Sequence, residues 1–295
     1  MTTYAYYPGC SIEATAKPYG RSIEATAPAL GLDLREVEDW NCCGATAYMS
    51  YDHVEAFSVA SRNLAIAEKM SSSSNGAVEV VAPCSACFAV LNNAVHYMAE
   101  DPKLFGVVND ALAAADLRYE GKVRVRHLLD VYINDVPEEV LKAKIIRDLA
   151  MVRLAPYYGC QIVRPKNEFD DYDQPTKFDD YLKLLGAQVA YYPVKAKCCA
   201  GTFITTQPEI AARMVGLLLK TAQEHGADGI VTCCPLCQFN LDNFQKEAGD
   251  YYGEEFNIPV LYFTQIVGLA LGVPPGELDI DNHRVSADAL LAKIV

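Results

Sequence analysis

The sequence predicts an α/β protein of two similar domains, each a small parallel sheet flanked by helices. Three observations carry this prediction. The 295-residue chain repeats its cysteine pattern once, β-prone runs alternate with amphipathic helical segments in both copies, and each cysteine group follows a β-prone run. A long internal repeat indicates two copies of one domain, and alternating strand and helix is typical of a parallel sheet. We therefore expect two halves related by a pseudo-twofold axis.

The repeat is clearest in the cysteine positions. The lone, paired and C-x-x-C cysteines of the first copy recur after 150, 156 and 150 residues. The flanking letters agree, since AYYPGC matches APYYGC, WNCCGAT matches AKCCAGT and VVAPCSAC matches IVTCCPLC. We place the domains at residues 1–140 and 141–295, the second with a C-terminal extension. The repeated residues are Cys10, Cys42, Cys43, Cys84 and Cys87, then Cys160, Cys198, Cys199, Cys234 and Cys237.

Both copies have the same order of elements, read from apolar spacing. A helix should follow each C-x-x-C, and Asp135 and Pro137 indicate the start of a connecting helix that runs to Ala150. The segment SSSSNG at 71–76 is predicted to be a loop. The predicted elements are strand 3–7, helix 22–30, strand 34–37, helix 54–70 and strand 78–82, then strand 152–158, helix 176–185, strand 188–192, helix 208–225 and strand 229–232.

Composition and charge exclude some partners and locations for the protein. The net charge of −13 disfavours nucleic acid or an anionic membrane as the main partner. The N-terminal MTTYAYYPGC has no basic or apolar signal region, and the longest apolar stretch, 258–273, is interrupted and too short to span a bilayer. We expect a cytoplasmic protein, in which structural disulfides are rare. The eleven cysteines are then metal ligands, redox thiols or inert core residues.

The number of cysteines favours iron–sulfur chemistry. Zinc takes four ligands and a cubane cluster takes four cysteines, whereas each copy offers five. Two of the five are adjacent in sequence, which strains chelation of one metal but suits neighbouring irons of a larger or irregular cluster. Zinc sites remain an alternative. The five histidines do not recur at corresponding positions.

Cys233 is the one cysteine outside the repeat. Its counterpart, 150 residues earlier, is Pro83. Because the sister copy has proline here, we expect Cys233 to be a small buried residue and not a ligand.

The two patterns, C-x31-CC-x40-C-x2-C and C-x37-CC-x34-C-x2-C, resemble the duplicated cysteine-rich "CCG" domain. A chain of this length with only two such domains is similar to the B subunit of heterodisulfide reductase. The segments YPGCSIEATA and DWNCCGAT look more like the bacterial or sulfur-oxidation type than the methanogen type. One departure is that the motif glycine, Gly44, is replaced by Ala200 in the second copy, with Gly201 next.

The resemblance implies a function and a cofactor. Each set of five cysteines would hold one noncubane [4Fe–4S] cluster, and a disulfide would be reduced or formed between the two clusters in two one-electron steps. The chain would be an oxidoreductase acting on sulfur. In the alternative, it is an electron-transfer subunit whose complex does its chemistry on another chain, as in related lactate, glycolate and succinate or fumarate oxidoreductases. A zinc-stiffened scaffold is a third possibility.

The resemblance also implies partners. These are a ferredoxin-like iron–sulfur subunit of the C type, a flavoprotein subunit of the A type and a small disulfide or thiol substrate. Since such disulfides carry acidic groups, we expect basic side chains beside the clusters. The candidates are Lys195, Lys197 and Arg164, which lie close to the second-copy cysteines.

Overall fold

Two four-stranded parallel sheets form the framework of the protein, seen here in a computed structural model. The structure describes residues 2–45, 51–70, 77–164 and 169–294, so the loop expected at 71–76 lies outside the described residues. The first sheet has the order β2-β1-β3-β4 and the second the order β6-β5-β7-β8. The strands are β1 (Thr2–Tyr6), β2 (Leu32–Glu36), β3 (Val78–Ala82), β4 (Val123–His127), β5 (Arg153–Tyr157), β6 (Gln188–Val189), β7 (Gly229–Thr232) and β8 (Val260–Tyr262).

Helices lie between successive strands, as parallel connections require. The central strands β3 and β7 are short apolar runs, and their buried residues are typical of strands covered on both faces. The helices are α1 (Cys10–Glu13), α2 (Lys17–Thr26), α3 (His53–Met70), α4 (Ser85–Glu100), α5 (Pro102–Ala113), α6 (Leu128–Asn134), α7 (Glu138–Lys144), α8 (Lys177–Leu184), α9 (Phe203–Thr206), α10 (Pro208–Glu224), α11 (Pro235–Asn243), α12 (Gln245–Tyr252), α13 (Phe263–Ala270) and α14 (Asp288–Leu291).

The α/β class and the two similar halves are confirmed, but each sheet has a fourth strand that the sequence pattern did not reveal. In β4, the charged residues Arg124 and Arg126 interrupt the apolar run by which a buried strand is recognised in a sequence. Arg126 is nevertheless buried, and its guanidinium donates to Asp130 and Asp135. β8 is three residues long and runs directly into α13, so the apolar spacing of this region could not distinguish strand from helix.

The connecting helix is shorter than expected. α7 ends at Lys144, and Ile145 has an extended backbone. The next two N–H groups, of Ile146 and Arg147, donate to the carbonyl of Ala270 instead of continuing the helix. The boundary between residues 140 and 141 falls within α7, and its placement stays a prediction.

Buried contacts join the two halves. Ser22 on α2 and Thr264 on α13 share a hydrogen bond of 2.6 Å. The ring of Tyr19 stacks on that of Tyr262 with centroids 4.2 Å apart, and its hydroxyl lies 3.3 Å from the carbonyl oxygen of Cys233. These contacts bring the carboxyl ends of β3 and β7 close together.

The C-terminal extension packs on the second half. Leu278, Ile280 and Leu290 are buried, and the carboxylate of Asp242 accepts hydrogen bonds from the backbone N–H groups of Arg284 and Val285. Among the described helices, none is long and apolar enough to cross a membrane.

Candidate metal centres

Every repeated cysteine group lies in the chain segment that follows the carboxyl end of a strand. In the first half, Cys10 follows β1, Cys42 and Cys43 follow β2, and Cys84 is the N-cap of α4 after β3. The second half repeats this order. Because the carboxyl ends of parallel strands share one edge of a sheet, segments far apart in sequence bring their thiols to one place in each half.

Four of the five thiols of the first half form two close pairs, and the fifth, that of Cys84, lies at the centre of the molecule. The sulfurs of Cys42 and Cys10 are 3.8 Å apart, and those of Cys43 and Cys87 are 3.2 Å apart. Cys10 and Cys42 are exposed, whereas Cys43, Cys84 and Cys87 are buried. Hydrogen bonds from Cys42 and Cys87 lower the pKa of Cys43 to about 4, so this crowded set favours a thiolate.

The second half has the same arrangement but is more enclosed. Cys160 and Cys198 are half-buried, in contrast to their exposed counterparts. Hydrogen bonds from Cys160 and then Cys199 lower the pKa of Cys198 to about 3. The thiol of Cys199 in turn interacts with that of Cys237. Thiolate is the form that binds metal.

The two sets meet at the centre of the molecule. Hydrogen bonds from Cys237 and Cys84 hold the pKa of Cys234 well below its ordinary value, and the bond to Cys234 is the main cause that raises the pKa of Cys84. Both residues are N-caps of the helices that follow the central strands. The pair Cys84–Cys234 therefore links one set of thiols to the other.

A glycine before the lone cysteine makes room for the sulfurs in each half. Gly9 and Gly159 have positive φ values of 76° and 69°. A Cβ at Gly9 would lie 3.1 Å from the sulfur of Cys87, and one at Gly159 would lie 3.0 Å from that of Cys237. Any side chain at these positions would crowd a thiol as well as strain the backbone.

A tyrosine supports the Cys-Cys pair in each half. The hydroxyl of Tyr7 donates to the carbonyl of Asn41 at 2.8 Å, and that of Tyr157 donates to the carbonyl of Lys197 at 2.7 Å. Each accepting residue directly precedes a Cys-Cys pair. This role is not evident from the sequence, although the match of AYYPGC with APYYGC, 150 residues apart, aligns the two tyrosines.

The missing motif glycine does not change the backbone. Gly44 has φ of 76° and Ala200 has φ of 75°, so both copies use the same left-handed turn after the cysteine pair. The side-chain amide of Asn240 donates to the carbonyls of Cys199 and Gly201, both at 2.9 Å, and holds this turn in the second half.

The donor sets fit iron–sulfur clusters in their chemistry. Each half presents five thiols, at least one of them with a lowered pKa, and a glycine that keeps space beside a sulfur. Clusters of this kind are held by cysteine thiolates. Within the described residues, no three Cys, His, Asp or Glu side chains are grouped closely enough to hold a single metal ion.

A cavity of about 320 Å³ opens onto the second set. All five of its thiol-bearing residues line the cavity, and the opposite wall comes from the first half, chiefly α4. The described residues that line it are Ala45, Ser85, Ala86, Ala89, Val90, Asn93, Tyr158, Cys160, Gln161, Cys198, Cys199, Gly201, Thr202, Cys234, Leu236 and Cys237.

His127 orients a hydroxyl in this cavity. Its Nδ1 accepts a hydrogen bond from the N–H of Leu129, and its Nε2 lies 3.2 Å from the hydroxyl of Ser85. Burial lowers the pKa of His127 to about 4, so the ring is neutral with its proton on Nε2. Nε2–H then faces the Ser85 hydroxyl and the backbone carbonyls of Pro83 and Cys233. The Ser85 hydroxyl also lies 3.8 Å from the sulfur of Cys233. No sequence pattern indicates this role, because the histidine has no counterpart in the second half.

Cys233 lies behind this wall and is not among the described residues that line the cavity. It is fully buried, with its sulfur 3.8 Å from both the hydroxyl of Ser85 and the carbonyl oxygen of Tyr158. Burial raises its pKa, which keeps it protonated.

The three predicted basic residues make contacts of their own. Lys195 is buried and pairs with Asp179 at 2.8 Å. Lys197 is 3.9 Å from Asp173, and Arg164 donates to a backbone carbonyl at 2.8 Å. None of the three is among the described residues that line the cavity, so their role in substrate binding stays a prediction from the sequence.

Two parallel α/β halves, each with five thiols at the carboxyl edge of its sheet, define a duplicated cysteine-rich domain. The family model of the CCG cysteine-rich domain matches residues 4–92 and again residues 154–242. The chain therefore belongs to the CCG family, in the duplicated form found in the B subunit of heterodisulfide reductase.

Relatives of similar length support this assignment. The chain is 35% identical over 289 residues to the 8-methylmenaquinol:fumarate reductase membrane anchor subunit of Wolinella succinogenes, covering 97% of this chain and 98% of that one. It is 32% identical over 282 residues to a heterodisulfide reductase B subunit-like protein of Archaeoglobus profundus, covering 93% and 92%.

A solved structure has the same fold. A hypothetical protein from Helicobacter pylori superposes with a TM-score of 0.76 at 14% identity. The match covers 97% of this chain and 53% of the other, so this chain spans about half the length of that protein.

Substitution of Gly159 tests whether the space beside this glycine is needed for the thiols to bind a cluster. We expect Gly159→Ala to lower the iron content and the cluster absorbance of anaerobically purified protein, because the new Cβ crowds the sulfur of Cys237. The control is Gly186→Ala, whose φ of 94° is also positive but whose Cβ would meet nothing within 4 Å. The control should lose about 1–2 kcal/mol of unfolding free energy and keep its iron. Equal iron in both variants would contradict the assigned role of Gly159.

Two adjacent cysteines test the ligand assignment. Cys234→Ser should remove iron from the second set, whereas Cys233→Ser should retain it, because Cys233 lies outside the repeated pattern and behind the cavity wall. Iron analysis and electron paramagnetic resonance (EPR) spectra of the two variants provide the comparison. If both variants lose iron equally, the alignment of the two copies is wrong.

Proposed function

We propose that this chain is the disulfide-handling subunit of a heterodisulfide-reductase-like complex. It would reduce or form a disulfide at two noncubane [4Fe–4S] clusters in two one-electron steps, an oxidoreductase activity on sulfur. The main support is the cavity of about 320 Å³ beside all five thiol-bearing residues of one set, which would leave a cluster held there open to an outside molecule. A relative with 32% identity is named as a heterodisulfide reductase B subunit-like protein.

The reaction needs no protein thiol as nucleophile. One substrate S–S bond breaks, two electrons and two protons enter, and two thiols leave. The clusters, when bound, would supply the electrons one at a time. Cys10, Cys42, Cys43, Cys84 and Cys87 would hold the first cluster, and Cys160, Cys198, Cys199, Cys234 and Cys237 the second.

The remaining residues of the site hold these ligands and receive the substrate. Tyr7 and Tyr157 position the cysteine pairs, and the hydroxyl of Ser85, in contact with His127, provides a neutral polar group at the cavity wall. The contact between Cys84 and Cys234 would provide a route for electrons between the two sets.

Electrons would come from other chains. The sequence contains neither the Gly-rich fingerprint of a dinucleotide site nor a run of cubane-binding C-x2-C motifs. A ferredoxin-like subunit of the C type, with a flavoprotein subunit of the A type behind it, would therefore complete the complex. The exposed thiols of Cys10 and Cys42 mark the side on which the first set is open to such a partner.

A second function is favoured by one comparison. The relative with 35% identity is named as a membrane anchor subunit of a fumarate reductase. This supports the alternative in which both clusters relay electrons and the chemistry takes place on another chain.

Oxidation of the reduced protein by a disulfide separates the two functions. We expect small disulfides to oxidise the anaerobically reduced chain, with one disulfide consumed for every two electrons, because the cavity admits them to the second set. Stopped-flow absorbance would follow the oxidation, and thiol release would give the stoichiometry. Cys233→Ser serves as a control that should react like the wild type. Oxidation by redox partners but by no disulfide would support the electron-transfer function instead.

A further inference from the structure

The turn after each Cys-Cys pair directs backbone N–H groups at the paired sulfurs. In the second half, the N–H groups of Ala200 and Gly201 are hydrogen-bonded to the sulfurs of Cys198 and Cys199. In the first half, the two residues after the pair make the same bonds. Hydrogen bonds of this kind stabilise the negative charge on a thiolate and, in a cluster, on its sulfurs. The conformation of the turn is therefore part of the chemistry of the site.

The left-handed backbone of this turn is unfavourable for alanine. Ala200 has φ of 75°, and Gly201 follows with φ of 54°. A left-handed residue with a Cβ is strained, and apart from glycine only Asn and Asp, with their short polar side chains, adopt this conformation with some frequency. Among the described residues, the other non-glycine residues with positive φ are all aspartates. The conformation of Ala200 therefore depends on contacts from elsewhere in the fold.

Asn240 on α11 supplies such contacts. Its side-chain amide donates hydrogen bonds of 2.9 Å to the carbonyls of Cys199 and Gly201, which lie on either side of Ala200. The same nitrogen lies 3.8 Å from the sulfur of Cys199. Asn240 is only 1% exposed, so water does not compete for these bonds. One side chain thus fixes the backbone on both sides of the strained residue.

The first half differs at both positions. With the 150-residue offset of the C-x-x-C motifs, Asn240 corresponds to Val90, whose side chain cannot form a hydrogen bond, and the motif glycine is present as Gly44. A Cβ at Gly44 would lie 3.6 Å from the side chain of Val59, which is an ordinary van der Waals contact. The first half therefore has the glycine without the amide, and the second half has the amide without the glycine.

We propose that Asn240 is a positioning residue that takes the place of the motif glycine in the second half. Its amide holds Ala200 in the left-handed conformation, and the turn then keeps its N–H groups on the sulfurs of the Cys-Cys pair. Without the amide, the alanine relaxes, these N–H groups turn away and the second set no longer holds its cluster. The inference rests on the clusters of the proposed function, and it holds whether the chain handles a disulfide or only relays electrons.

Loss and rescue of iron test this compensation. Asn240→Val copies the first half, and we expect it to lose about half of the iron of the anaerobically purified protein and the EPR signal of one cluster, because only the second set is affected. Adding Ala200→Gly to this variant should restore most of the iron, since glycine adopts the turn without support. A general loss of packing at Asn240 would not be repaired by a change at residue 200.

Two further variants complete the experiment. Asn243→Val removes an amide from the exposed face of the same helix, where it donates to the carbonyl of Phe239, and should keep the full iron content. Gly44→Ala places a left-handed alanine in the first half, where Val90 cannot hold it, and should lose the iron of the first set. This variant keeps the inference open to refutation if Asn240→Val fails to fold.

Three results would overturn the inference. Full iron in Asn240→Val or in Gly44→Ala would show that a left-handed alanine needs no support at this turn. Failure of Ala200→Gly to restore iron would show that the amide does not compensate for the missing glycine.

The iron content of the wild type separates this inference from the proposed function. If the wild type itself contains little iron, the proposed function fails, and this inference fails with it. If the wild type contains about eight iron per chain and every variant retains them, only this inference fails.

Discussion

The crowding of five thiols at the carboxyl edge of each sheet is the constraint on which the rest of the structure depends. Sulfurs as close as 3.2 Å cannot all ionise without strong repulsion, so they share protons in hydrogen bonds. A bound cation relieves this repulsion. The protein keeps the sulfurs close through its backbone, with a glycine beside one sulfur, a left-handed turn after each cysteine pair and a tyrosine hydroxyl before it.

Duplication puts two such sites in contact, and the halves then differ in what surrounds them. Cys84 and Cys234 meet at the centre, where Tyr19 and Tyr262 hold the two halves together. On the first side, Cys10 and Cys42 are open to solvent, while the second set lies in a cavity under α4. The two sets thus differ in exposure although they share one ligand pattern.

The repeat and the central strand of each sheet can be predicted from the sequence. Strands at 78–82 and 229–232 were predicted with the observed bounds, since short apolar runs ending at a C-x-x-C leave little ambiguity. The strand at 123–127 was missed, because ion pairs that neutralise Arg126 are visible only in three dimensions. The replacement of the motif glycine by Ala200 has no effect on the turn either, since Ala200 has nearly the same φ as Gly44. The cavity could not be predicted either, because its walls come from both halves.

The central claim is that ten repeated cysteines hold two four-iron clusters, and the metal content tests it most directly. Protein purified without air should contain about eight iron and eight acid-labile sulfide per chain. Stoichiometric zinc with little iron would contradict the account, since the proposed electron chemistry depends on a redox-active metal in both halves.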